Sequence, residues 1–117
     1  DKVLTYVGSE FARTLTPNGN DPSTSGGDHA WSGHAFAFGD MIDGGKFFGT
    51  HPDLALGSGL DVGRGRFIPT NSSSQCSAIV ANWMGVAQSD SNIIFPSLQN
   101  FDSPFDDQTN LNFIKVS

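Results

Sequence analysis

Asp28 and His29 stand side by side at the end of a polar, glycine-rich stretch, Gly26-Gly27-Asp28-His29-Ala30-Trp31. A carboxylate oxygen and an imidazole nitrogen together suit a divalent metal. The structural alternative is local: Asp28 caps a turn and His29 bonds a backbone carbonyl. Arg13 offers different chemistry. Its guanidinium matches phosphate or sulfate in bidentate fashion; alternatively, it locks a loop by bonding carbonyls. His34 follows His29 closely and is either a second imidazole ligand or a satisfied histidine on an alternating strand. His51, followed by Pro52-Asp53, reads as a loop residue. Ser9, His29 and Asp28 are the residue types of a nucleophilic triad, but no Gly-x-Ser-x-Gly elbow accompanies them.

Two more cations stand in Gly63-Arg64-Gly65-Arg66. An extended segment holds both arginines on one side, as anion contacts or as a structural clamp. The Walker spacing and its Lys-Ser/Thr pair are missing, so this is no phosphate loop.

Short elements must position these groups. Lys2 to Val7 alternates and is rich in β-formers, which predicts a strand ended by Gly8. Ser9 to Thr14 then lies at that strand's C-terminal edge, where open α/β sheets bind ligands. Leu15 to Gly27 reads as a long loop, with turn signals at Pro17-Asn18-Gly19-Asn20 and Asp21-Pro22. Further strands are expected at His34–Phe38, Lys46–Phe48 and Leu111–Val116, and Arg64–Ile68 reads as a strand or an extended segment. Ile93 to Leu98 is apolar and broken by Pro96. Phe101 to Gln108 reads as an acidic loop. The clearest element is a helix over 71–84. Its stripe is Cys76, Ile79, Val80, Trp83 and Met84, with a cap in Thr70–Ser73 and a stop at Gly85.

Composition narrows the function classes. A length of 117 residues fits one segment with a modest core, and ten phenylalanines supply much of its apolar area. Twelve acids against six bases give a net charge of −6, which argues against a nucleic-acid partner. No apolar run is long enough for a membrane span. The single cysteine, Cys76, excludes an internal disulfide and is expected to be buried. Low lysine with many Asn, Ser, Thr and Gly suits an extracytoplasmic location. Asn71-Ser72-Ser73 is either a glycosylation sequon or a helix cap cluster.

The order of motifs resembles a family. Ser9-Glu10-Phe11-x-Arg13-Thr14 comes first, then Asn18-Gly19, then Gly26-x-Asp28-His29-x-Trp31. Gly44-Gly45-Lys46, Gly63-Arg64-Gly65-Arg66-x-Ile68-Pro69-Thr70 and Trp83-x-Gly85-Val86 follow. This order is similar to the domain-of-unknown-function family numbered fifteen-oh-one, mostly exported bacterial proteins with a sulfatase or alkaline-phosphatase-like fold. The resemblance covers roughly residues 2 to 101. It implies an α/β fold, seen here as the C-terminal part of an alkaline-phosphatase-like sheet with short strands, one main helix and long glycine-rich loops.

The resemblance also implies chemistry. Asp28, His29 and Glu10 would ligate a divalent metal (zinc, calcium or magnesium), and Arg13 would bind the anionic group of a phosphate or sulfate ester. Glu10 stands where enzymes of that fold carry an Asp-His pair, and no histidine follows it. The other role for Glu10 is a surface ion pair with Arg13. Three readings follow. The first is part of a metal-dependent ester hydrolase acting on an anionic small molecule. The second is an inactive, exported structural or binding module in a larger assembly. The third is a carbohydrate-binding domain stacking sugars on Trp31 and Phe47, for which a core role is the alternative. An incomplete sheet rich in phenylalanine would leave an apolar patch, so the expected partner is a missing N-terminal region or another subunit.

Overall fold

The structure is a computed structural model that describes residues 2–101 and 111–115. It mixes helices with small antiparallel pairings. Four strands are present among the described residues: β1 (Thr5–Val7), β2 (Ala12–Arg13), β3 (His29–Ala30) and β4 (Phe36–Phe38). They form two separate two-stranded sheets, β1 with β4 and β2 with β3. Two helices follow, α1 (Ser73–Trp83) and α2 (Ser91–Ile94), with 3-10 turns at Gln88–Asp90 and Pro96–Asn100. None is long and apolar enough to cross a membrane.

The chain divides into two compact units, each assembled from separated stretches. One comprises Asp1–Leu4, Phe38–Thr50 and Asn71–Ser117; the other comprises Thr5–Ala37 and His51–Thr70.

The first unit is organised by α1. Ser72 caps it: its hydroxyl accepts from the Gln75 amide at 3.2 Å, and the Gln75 side chain accepts from the Ser72 amide at 2.9 Å. This capping box satisfies two helix-end donors, and such a cap contributes about 1 kcal/mol. The buried face differs from the expected stripe. Gln75 and Ala78 are buried, Cys76, Ile79, Val80 and Trp83 are half-buried, and Met84 is 75% exposed. α1 packs against α2 and the Pro96–Asn100 turn, and the small Ala78 lies on the face between Ser74, whose hydroxyl accepts from Ser97 at 2.7 Å, and Asn82. Asn82, a turn further on, accepts a hydrogen bond from the fully buried Ser91 hydroxyl at 3.1 Å. Polar pairing at this seam replaces the apolar stripe.

Leu98 fills the space beneath these helices and is 1% exposed. Among the described residues, Ile42, Leu111 and Phe113 are the other large buried apolar residues of the unit. The Phe48 and Phe113 rings meet edge to face, with centroids 6.2 Å apart. The expected strand over 111–116 is reduced among the described residues to a single bridge, Ile42 with Ile114. Lys46–Phe48 forms no strand, and Lys46 pairs with Asp43 across the preceding turn. Most of the acidic stretch 101–108 lies outside the described residues.

The second unit has a smaller core of Ala30, Phe67 and the buried Thr14. Its first predicted strand is shortened to Thr5–Val7, and the strand expected from His34 starts only at Phe36. Arg64–Ile68 is not an extended strand. Its one β contact is the Asp61–Phe67 bridge, which closes a tight turn.

Candidate functional site

The expected site residues gather around the β2–β3 ribbon. Its register sets Ala12 opposite Ala30 and Arg13 opposite His29. Residues paired in this way project from the same face. Phe11, one residue before the ribbon, stacks its ring on His29 at a centroid distance of 3.8 Å. The Arg13 guanidinium lies 5.1 Å from the same ring centroid, within cation–π range. Arg13 also donates to the Gly27 carbonyl at 3.0 Å. It therefore ties down the loop before β3.

Glu10 does not pair with Arg13. It lies 3.4 Å from the Ser9 hydroxyl, which also donates to the Phe11 carbonyl at 3.0 Å. Ser9 thus hydrogen-bonds its own neighbours rather than His29, and no triad is assembled.

Asp28 is the most heavily engaged residue. One carboxylate oxygen accepts from Asn18 Nδ2 at 2.8 Å, and the other accepts from Arg64 at 2.6 Å. The Asp28 amide donates to Thr14 Oγ1 at 3.1 Å, and its carbonyl accepts from the Thr14 amide at 2.9 Å. Arg64 completes the clamp by donating to the Thr16 carbonyl at 3.2 Å, while its own carbonyl accepts from the Thr16 amide at 3.3 Å. Asn18 closes the loop base: its amide donates to the Gly26 carbonyl at 2.9 Å, and its Oδ1 accepts from the Gly26 amide at 3.0 Å.

Arg64 reaches Asp28 from an unusual backbone. Its φ is +64°, between Gly63 at +108° and Gly65 at +74°. A side chain in this left-handed region is strained, and such strain persists only where the surroundings fix it. Here Thr16 and Asp28 hold the residue at both its carbonyl and its guanidinium. Arg66 folds back onto the same turn and donates to the Gly63 carbonyl at 3.0 Å. The arginine pair is a clamp on loops.

Asp61, which sequence reasoning passed over, organises this turn. Its carboxylate accepts from the amides of Gly57, Gly63 and Gly65 at 2.9, 2.7 and 3.0 Å. The available signal was an aspartate set among glycines, whose amides are open to approach.

These bonds hold carboxylates ionised. The Arg64 hydrogen bond, followed by that of Asn18, keeps the Asp28 carboxyl below its ordinary pKa. The amide of Gly57 leads the same downward shift at Asp61. A group whose pKa is lowered by folding stabilises the fold above its unfolded pKa and loses that contribution as pH falls through the folded value. Urea midpoints should therefore fall as pH drops below about 4. Asp28→Asn should flatten part of that fall. Parallel pH profiles for the two proteins would show that the Arg64 contact has no energetic role.

Among the described residues, no group of three or more His, Cys, Asp or Glu side chains could hold a metal. Asp28 presents its oxygens to Arg64 and Asn18, His29 presents its ring to Phe11, and Glu10 lies beside Ser9. The three expected ligands share a region without forming a cage. Trp31 and Phe47 are not core residues: they are 67% and 96% exposed.

No family model, curated protein or solved structure matches the chain.

Proposed function

We propose that this chain is part of an exported protein of the alkaline-phosphatase-like class and works there as a non-catalytic structural or binding module. The observation that carries this reading is the engagement of both Asp28 oxygens by Arg64 and Asn18. A metal at Asp28 would have to displace a guanidinium already in contact. Arg13 is bound to the Gly27 carbonyl in the same way. The charged groups thus serve to shape loops. The surface supports a docking role: Val3, Leu15, Phe36, Phe47, Leu56, Met84 and Ile93 are all more than half exposed. In each unit taken by itself, exposed side chains of this kind are available for contact with another protein region. The motif order that resembles the exported family supports the class.

A second reading remains the metal-dependent hydrolase of phosphate or sulfate esters. One observation favours it: Arg13 and His29 are both exposed and adjacent across the ribbon. On that reading zinc, calcium or magnesium would take Asp28, His29 and Glu10 together with ligands from elsewhere.

The test is an ester-hydrolysis assay on the full-length protein with each of the three metals, beside light scattering on the 117-residue chain. The module reading expects no hydrolysis that His29→Ala removes, and self-association of the isolated chain. Metal-dependent turnover lost in His29→Ala would overturn it. So would a monomeric chain that unfolds in one sharp transition.

A further inference from the structure

We propose that His34 and His51 form a two-imidazole site for a late first-row divalent ion, Zn2+ or Cu2+. This is separate from the module role and from the Asp28 region. The chain has three histidines, and two of them meet here. Their ring centroids are 5.3 Å apart, with planes inclined by 25°. Both side chains are exposed.

The separation suits chelation. A ring nitrogen lies about 2.0–2.1 Å from zinc, which puts the imidazole centroid about 3.2 Å from the ion. Two such rings at a tetrahedral angle have centroids about 5.2 Å apart. The pair already stands at that spacing. The terminal torsion of an exposed histidine is broad, so the rings can turn their nitrogens toward a common point.

The tautomer of His51 is also suited. Its Nδ1 lies 2.9 Å from the Pro52 carbonyl oxygen. A carbonyl can only accept, so Nδ1 carries the proton and the Nε2 lone pair is left for a metal. A ligating histidine commonly donates its other ring N–H to a backbone carbonyl in this way. The net charge of −6 favours accumulation of a cation. Two protein ligands leave the remaining positions to water, so the site is open. Imidazole donors select zinc and copper over calcium and magnesium.

Calorimetric titration of the full chain with Zn2+ and then Cu2+ tests the site. One equivalent should bind, copper more tightly than zinc. His34→Ala and His51→Ala should each weaken zinc binding by about tenfold or more. His29→Ala should leave it within about twofold, because that ring stacks on Phe11. Histidine ring resonances of the unmutated chain give an independent readout: those of His34 and His51 should shift with zinc while that of His29 stays. Absence of binding, binding that survives either substitution, or loss in His29→Ala would each overturn the proposal.

Discussion

Gly39→Ala is expected to destabilise the first unit by about 3–5 kcal/mol. Two effects add at this position. Gly39 has φ +139°, a conformation that L side chains rarely adopt. A methyl group there would also collide with the Val3 carbonyl oxygen and press on the Leu4 Cα at 3.2 Å. The obstacle is backbone, so no rotamer change relieves it. Gly45 separates the two terms. Its φ is +76°, and an added Cβ there meets nothing within 4 Å. Gly45→Ala should therefore cost only the conformational part, about 1–2 kcal/mol. Urea unfolding of both variants decides the matter. Equal losses would mean that the close approach of Val3 to Gly39 has no energetic consequence.

Leu98→Ala should cost about 3 kcal/mol, within the usual range of 2–5 for a buried leucine. Leu98 is 1% exposed and sits where α1, α2 and the Pro96–Asn100 turn meet. Its loss removes buried apolar area and leaves a cavity that the neighbours only partly fill. Among the described residues, the unit has few other large buried apolar side chains, Ile42, Leu111 and Phe113. Domains of ordinary stability carry about 5–15 kcal/mol in total, so this one truncation removes a substantial share. Leu98→Met, which conserves volume, should lose less than about 1.5 kcal/mol. If alanine and methionine behaved alike at this position, Leu98 would not be a core residue.

The sequence was most readable at α1. Its serine-rich start and Gly85 stop frame a helix at 73–83, against an expected 71–84. The buried face was misread because hydrophobicity was taken as the guide. The packed face instead carries the small Ala78 between Ser74 and Asn82, and Gln75 is buried as part of the cap. The strands were legible where alternation ran long enough, at Thr5–Val7 and Phe36–Phe38. The ribbon of Ala12–Arg13 with His29–Ala30 was not, since two residues carry no period.

At the site, spacing reports neither the pairing of Arg13 with His29 across the ribbon nor the partners of Asp28. Arg64 is 36 positions from Asp28, and only the turn built by Asp61 brings it back. His34 and His51 likewise meet through folding. Local spacing cannot report either encounter.

The division of the chain bears on how it is made. The first unit uses residues from the start, the middle and the end, and the second fills the intervals, so the backbone passes between them four times. No single cut releases either unit whole. During synthesis, the ribbon unit lacks Arg64 and Asp61 until its last stretch emerges. The helix unit must wait longer still, holding Val3 and Gly39 in reserve until α1 is complete. Each unit therefore closes only through contacts between stretches far apart in sequence.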